Sequence, residues 1–255
     1  GTWIYVQDRE TGDLRSAARQ PLGEVAAEES VRYWPSHAEF RRRVGDLSLH
    51  TEVTVAPEDD VEIRRLSLTN HSGRTRRLRV TSYGEVVLAP QSADRGHPAF
   101  NKMFIESEYL AGINALLFQR RPRASDESPI AMAHLLAVEP SEETTGAYES
   151  DRARFLGRGR TDHDPAALRT ADHQLSGTTG ATLDPVMALE QEIEVPSHAT
   201  ARLAFVTLAA EDRAGALALA RRYQDWHRIG RAFDQARSQS RIDLHNLDLE
   251  TQDVA

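Results

Sequence analysis

Alternation of apolar and polar side chains is the commonest pattern along this chain. Leu47, Leu49, Thr51, Val53 and Val55 alternate with Ser48, His50, Glu52 and Thr54, the period of two shown by a strand with one buried face. Shorter segments at 3–7 and 14–16 flank the polar loop 8–13, whose Gly12 suits a hairpin. Residues 31–34 and 39–44 read as the next pair. Residues 61–69 and 78–87 follow, joined by Asn70-His71-Ser72-Gly73-Arg74, a run of turn formers. Asn70-His71-Ser72 also fits a glycosylation sequon, but turn chemistry accounts for it. Residues 100–109, 115–120 and 130–138 continue the series. Residues 161–185 show little periodicity, and so long a loop inside a compact domain is uncommon unless functional. Met187, Leu189, Ile193 and Val195 then alternate with Glu190, Glu192 and Glu194. Residues 200–209 are apolar on both faces, which predicts a strand between two layers.

Helical periodicity follows only near the end. Residues 214–223 are rich in Ala, Leu and Arg, and Trp226, Ile229, Phe233 and Ala236 recur at helical spacing behind Asp225, a suitable N-cap. The predicted fold is mainly β, an antiparallel sandwich over 1–210, with helix confined largely to 211–255.

At 255 residues the chain can bury a substantial core. No apolar run approaches the roughly 20 residues of a membrane-spanning helix. The net charge of −8 argues against a general nucleic-acid binder, because phosphate affinity needs clustered basic groups that an acidic field opposes. Basic patches are therefore local devices. With 0 cysteines there is no disulfide, thiolate nucleophile or zinc–thiolate site. The chain opens in a strand pattern with no signal peptide, as expected of a segment cut from a larger protein.

The segment Glu149-Ser150-Asp151-Arg152-Ala153-Arg154-Phe155-Leu156-Gly157-Arg158-Gly159-Arg160 concentrates the basic chemistry. If it is extended, its four arginines share one face, and their fixed donor forks suit anions or vicinal sugar hydroxyls. The plainer reading is a solvated strand end and glycine turn, with Arg152 and Arg154 paired to Asp151, Glu149 or other acids. Glu106 and Glu108 lie two apart on one strand face, roughly 7 Å, a spacing compatible with an inverting glycosidase pair. Alternating acids on a solvated face are far commoner. His163-Asp164 and Asp172-His173 match no compact zinc signature, so loop polarity explains them better. Nucleophile elbow, phosphate loop and dinucleotide fingerprint are all absent.

Five segments stand in a telling order: Trp3-Ile4-Tyr5-Val6-Gln7-Asp8, Ile63-Arg64-Arg65-Leu66-Ser67-Leu68-Thr69-Asn70, His97-Pro98-Ala99-Phe100-Asn101, residues 151–160, and Leu175-Ser176-Gly177-Thr178-Thr179-Gly180. Together they resemble the N-terminal domain of glycoside hydrolase family 94, formerly glycosyltransferase family 36, which groups cyclic β-1,2-glucan synthases with cellobiose and chitobiose phosphorylases. The resemblance spans nearly the whole chain. It implies an antiparallel super-sandwich of the galactose-mutarotase-like type, then linker helices, then an (α/α)6 barrel that carries the catalytic acid and is not in this chain.

On that resemblance the chain is a non-catalytic, carbohydrate-associated domain, inactive alone, within a glycosyltransferase or phosphorylase-like enzyme. It implies neither catalytic residues, nor a metal, nor a cofactor. The candidates for substrate or domain contact are His97, Phe100, Asn101, Arg154, Arg158 and Arg160. The implied partners are a β-glucan or oligosaccharide, the catalytic barrel and a second copy in a homodimer, with nucleic acid excluded. The parent enzyme is expected at the bacterial inner membrane with this domain on the cytoplasmic side. Two rivals remain open: a self-contained mutarotase-like or glycosidase sandwich using Glu106, Glu108 and His97 or His134, and an oligomerisation scaffold.

Overall fold

In the structure, a computed structural model describing residues 1–122, 129–140, 146–169 and 174–249, the alternating segments become strands. The first half runs β1 (Thr2–Asp8), β2 (Leu14–Ser16), β3 (Glu28–Trp34), β4 (His37–Val44), β5 (Leu47–Val55), β6 (Val61–Asn70) and β7 (Arg76–Glu85). Two short helices, α1 (Gln91–Gly96) and α2 (Pro98–Lys102), lead to β8 (Ile105–Leu110), β9 (Ala115–Arg120), β10 (Ala131–Glu139) and β11 (Ala147–Asp151). After α3 (Arg152–Leu156) come β12 (Gly180–Ala181), β13 (Pro185–Val195), β14 (Thr200–Ala210), α4 (Arg213–Tyr223) and α5 (Trp226–Asn246).

Among the described residues these strands form a five-stranded sheet, β11-β13-β7-β1-β2, and a nine-stranded sheet, β12-β8-β9-β10-β14-β6-β5-β4-β3. Every pairing is antiparallel. Leu49, Leu66, Val80, Phe118, Leu189 and Phe205 fill the space between the sheets. The opposite face of the larger sheet, with Ile63, Leu135 and Val206, packs on Ala220, Ile229 and Phe233 of α4 and α5. That second layer explains why β14 is apolar on both faces. A third cluster, around Tyr5, Tyr83, Phe155 and Leu168, covers the outer face of the smaller sheet.

The helix pair is clasped by the β5–β6 turn. Asp59 accepts hydrogen bonds from Tyr223 Oη at 2.8 Å, Arg222 at 3.0 Å and Arg228 at 3.3 Å, while Gln235 donates to Glu58 at 2.9 Å. Asp225 caps α5 through His227 N, as its position predicts.

Several expectations need correction. Residues 98–102 are helical and β8 starts only at Ile105. Pro98 at the first helical turn favours this, and the α1–α2 segment carries the chain from one sheet to the other. Val55, expected on the buried face of β5, is 62% exposed because the strand outruns its cover. Glu190, expected on a solvated face, is buried against Arg79 and Thr81 of β7. Residues 70–74 form an arch between sheets: Asn70 is fully buried, donating to the carbonyls of Arg74, Val195 and Pro196. An Asn so enclosed cannot carry a glycan.

Candidate functional site

The arginine segment is not extended. β11 ends at Asp151, whose carboxylate accepts from Ala153 N at 2.8 Å and caps α3. That single helix exists because Phe155 and Leu156 anchor it in the third cluster, the Phe155 ring 4.8 Å from Tyr83 and 6.3 Å from Tyr5. Gly157 then turns the chain at φ +83°, with the site of a Cβ only 2.6 Å from Ala166 Cβ, and Gly159 follows at φ +69°. Each arginine consequently has its own surroundings. Arg152 Nε approaches Glu85 at 3.3 Å and Asp184 at 3.7 Å. Arg154 lies 4.0 Å from Asp151, and Arg160 pairs with Asp164 at 2.5 Å. Arg158 is exposed. The plainer expectation for Arg152 and Arg154, pairing with neighbouring acids, matches this geometry.

The glycine-bearing segment 175–180 is a strap between the sheets. Ser176 Oγ donates to the buried Glu149, which also accepts from Ser150 N and Asp151 N, and Gly177 N donates to Tyr148 O at 2.9 Å. On the other sheet, Gly180 N donates to Ser107 Oγ, itself 2.7 Å from Ser150 Oγ. Tyr109 and Tyr148 stack across the same edge at 3.8 Å.

The second candidate segment, 97–101, forms α2 and its approach. Asn101 is buried and committed to structure, its Nδ2 donating to Ala93 O at 2.7 Å and His97 O at 3.0 Å. Phe100 is 47% exposed and meets Phe104 edge-on, and His97 is exposed. Lys102 Nζ sits 2.6 Å from Asp184 Oδ1, on the carboxylate that Arg152 also approaches. One acid thus joins the two segments, though no contact seen among the described residues brings Arg158 or Arg160 to His97.

The two acids of the candidate pair have separate partners. Glu106 bonds to Arg121, and Glu108 pairs with Arg213 at 2.9 Å, each about half exposed at 50% and 49%. Neutralised separately on an open strand face, they are poorly placed for shared acid–base work. Among the described residues no three His, Asp or Glu side chains gather as a metal site. His163 lies 4.0 Å from Asp162, and Asp172 and His173 fall outside the described residues.

The matching family model is that of the glycosyl hydrolase 94 supersandwich domain, over residues 1–226. The chain belongs to this family. It is 35% identical over 255 residues to the cyclic beta-(1,2)-glucan synthase NdvB of Rhizobium meliloti (strain 1021), covering 100% of this chain and 9% of that protein. Solabiose phosphorylase of Paenibacillus borealis is 25% identical over 74% of this chain and 23% of its own length. For N,N'-diacetylchitobiose phosphorylase of Vibrio furnissii the values are 22%, 91% and 28%. The chain therefore spans only a small part of these relatives. Among solved structures, a candidate kojibiose phosphorylase from the human microbiome superposes with a TM-score of 0.50 at 7% identity, covering 93% of this chain and 27% of its own, which is a likeness of fold.

The most enclosed ionisable groups of this supersandwich were not legible as such in the sequence. His134 lies between the sheets, its Nε2 2.9 Å from Ser82 Oγ and its Nδ1 2.9 Å from Thr207 Oγ1. Burial, with Arg64 adding to it, pushes its pKa down to about 3 and keeps it neutral. Glu190 takes a hydrogen bond from Thr81 at 2.9 Å and faces Arg79 at 3.3 Å. Burial raises its pKa to about 7 despite Arg79 and Thr81. Arg42 is 2% exposed and ties the 16–24 loop to the larger sheet, donating to the carbonyls of Ser16, Ala18 and Glu24.

Proposed function

We propose that this domain is a non-catalytic, carbohydrate-associated platform of a larger β-glucan-processing enzyme of the cyclic β-1,2-glucan synthase kind. In this reading an (α/α)6 barrel supplies the catalytic acid. Arg158 and Arg160, with Arg154 beside them and His97, Phe100 and Asn101 as a second candidate surface, face that barrel or the glucan. The parent enzyme sits at the bacterial inner membrane with this domain on the cytoplasmic side. For the chain itself, no described helix is long and apolar enough to cross a membrane.

The disposition of the ionisable groups carries the reading. Glu106 and Glu108 are separately neutralised by arginines, whereas Glu190 and His134 are packing elements out of reach of solvent. Arg158 and Phe100, by contrast, are exposed, Arg158 between the two glycines that let the chain turn and Phe100 in the helix that Pro98 opens. An arginine fork held this way is suited to hydroxyls or phosphate.

The test is Arg158→Ala with Arg160→Ala in the longer protein that carries this domain. Glucan processing should fall while the thermal midpoint drops by no more than about 2–4 °C, because exposed ion pairs are worth only about 0–1 kcal/mol. Unchanged kinetics would reduce the segment to packing. The isolated chain should neither hydrolyse nor phosphorolyse β-1,2-glucan, and turnover abolished by Glu106→Gln would overturn that expectation.

A further inference from the structure

We propose that the groove between the β3–β4 turn and the C-terminal half of α5 is a surface subsite for a neutral oligosaccharide chain. This rests on the carbohydrate reading above and locates a place for the sugar distinct from the arginine segment. The groove encloses 490 Å³, within the range of roughly 300–1,000 Å³ typical of small-molecule sites. One wall is the strand end carrying Tyr33 and Trp34, which are 68% and 37% exposed. The other wall is α5, where Gln239, Ser240 and Asp243 line the groove from neighbouring turns.

An indole left beside an apolar floor is unusual on a solvated β edge, where short charged strands are the common solution, while the Tyr33 ring lies edge-on to Phe40 on the other face of the strand. Trp34 is also held in place. Its ring lies 17° from the plane of His37 with centroids 6.2 Å apart, and His37 Nδ1 is 2.9 Å from Ser36 Oγ. A fixed indole presents a flat apolar face to the C–H side of a pyranose ring. Hydroxyls at the ring edge then need a few placed amide, hydroxyl and carboxylate groups, which is what α5 supplies.

Charge selects the ligand class. None of the described residues lining the groove is Lys or Arg, and its one carboxylate, Asp243, already accepts from Gln239 Nε2 at 2.8 Å. Burial, with Arg237 next in effect, lowers the pKa of His37 and leaves the ring neutral at pH 7. Sugar phosphates, nucleotides and acidic polysaccharides would find no basic side chain in the lining, and Arg237 nearby is already paired with Glu52 and Asp234, whereas an uncharged glucan needs no counter-charge. Three other concavities among the described residues differ from it, and the one that holds aromatic rings, Trp3 and Phe40, is lined by Arg19, Glu29 and Arg64 and so is charged. That beside Glu28, Arg41, Arg43 and His50 is charged, and that beside Leu88, Pro90 and Ile130 has no aromatic ring.

The experiment titrates the chain with a linear β-1,2-linked gluco-oligosaccharide, following tryptophan fluorescence and heat, alongside Trp34→Ala, Trp34→Phe, Gln239→Ala and the Arg158→Ala/Arg160→Ala pair. Sedimentation is run on each. Saturable binding is expected, weakened about tenfold or more by Trp34→Ala, severalfold by Gln239→Ala and largely kept by Trp34→Phe, with unchanged melting. Binding that survives Trp34→Ala but is lost in the arginine variant would overturn the groove and leave the carbohydrate reading standing. Failure of every form to bind would remove both for the isolated domain. Self-association abolished by Trp34→Ala would make the groove a protein interface and overturn the subsite.

Discussion

Lys102 and Arg152 meet on one carboxylate: Lys102 Nζ is 2.6 Å from Asp184 Oδ1, and Arg152 Nε is 3.7 Å from Asp184 Oδ2. The residues come from α2, which crosses between sheets, and α3, which opens the arginine segment. Asp184 immediately precedes β13, in the middle of the smaller sheet's pairing between β11 and β7. The surface assigned a role in domain contact is therefore braced from the sheet rather than hung from loops.

Asp184→Ala tests this bracing. Because Lys102 is mostly covered and Arg152 is not, the loss should be about 1 kcal/mol, or about 2–4 °C in a domain of this size. Amide exchange should speed up over residues 91–102 and 152–156 and stay unchanged in β14. A uniform rise in exchange would show that the contact serves global stability instead.

Two buried groups give stability an unusual pH profile. His134 has a folded pKa of about 3 against an ordinary 6.5, so between these values the unfolded chain binds the extra proton and stability rises with pH. Glu190, at about 7 against 4.5, does the reverse, since the folded chain holds the proton and stability falls as pH rises through that window. The two slopes, each about 1.4 kcal/mol per pH unit, cancel between 4.5 and 6.5. Glu190→Gln should therefore gain on the native chain as pH rises from 4.5 to 7, measured by urea unfolding at fixed ionic strength. A pH-independent difference would mean that Arg79 keeps Glu190 ionised throughout.

The clasp on the helices can be tested at Asp59. Burial raises its pKa, but the Tyr223 hydroxyl with Arg222 and Arg228 outweighs burial and holds the carboxyl below its ordinary value. Asp59→Ala strands the Tyr223 hydroxyl and two arginines at the α4–α5 junction, and should cost about 2–3 kcal/mol. Its stabilising effect is present above the ordinary carboxylate pKa and is lost on acidification, so the penalty should shrink below about pH 4. A penalty constant down to pH 2 would assign the effect to packing.

The fold was largely legible because alternation and burial follow one rule. β5, β14 and α5 emerged from periodicity, and two-sided apolar β14 announced the extra helical layer. What escaped was polar burial. Glu190 sits in the same alternating run as Glu192, yet only Glu190 is buried, against Arg79 and Thr81 of the neighbouring strand. His134, weighed as a catalytic histidine for a self-contained enzyme, is instead locked between the sheets, and neither its burial nor that of Arg42 could be read, since their partners Ser82, Thr207, Ser16 and Glu24 are remote in sequence. The candidate segments were found by composition, but their shape was not. Even-spaced arginines implied a common face only for extended backbone, and the anchoring of Phe155 made the first pair helical instead. Asn101 shows the limit of motif reading: its amide holds α1 to α2.

Gly157 and Gly159 separate two reasons for glycine within one turn. Both have positive φ, +83° and +69°, which strains an L side chain by about 1–2 kcal/mol or more, and Gly157, with ψ 163°, lies in a region essentially confined to glycine. Only Gly157 is also crowded, since its Cβ would lie 2.6 Å from Ala166 Cβ and 3.3 Å from Arg160 Cδ, whereas Gly159 has open space. Gly159→Ala should thus cost about 1 kcal/mol and Gly157→Ala about 2–4 kcal/mol, the excess reflecting the glycine-only backbone angles of Gly157 together with displacement of the 166–168 turn and its buried Leu168. Denaturant midpoints of the two variants measure the difference, and Tyr5 and Tyr83, which pack on this segment, report it through near-ultraviolet dichroism. Equal costs would mean that backbone angle alone selects glycine here. The predicted inequality would mean that Gly157 also fixes how the chain leaves α3, and with it the direction in which Arg158 is presented.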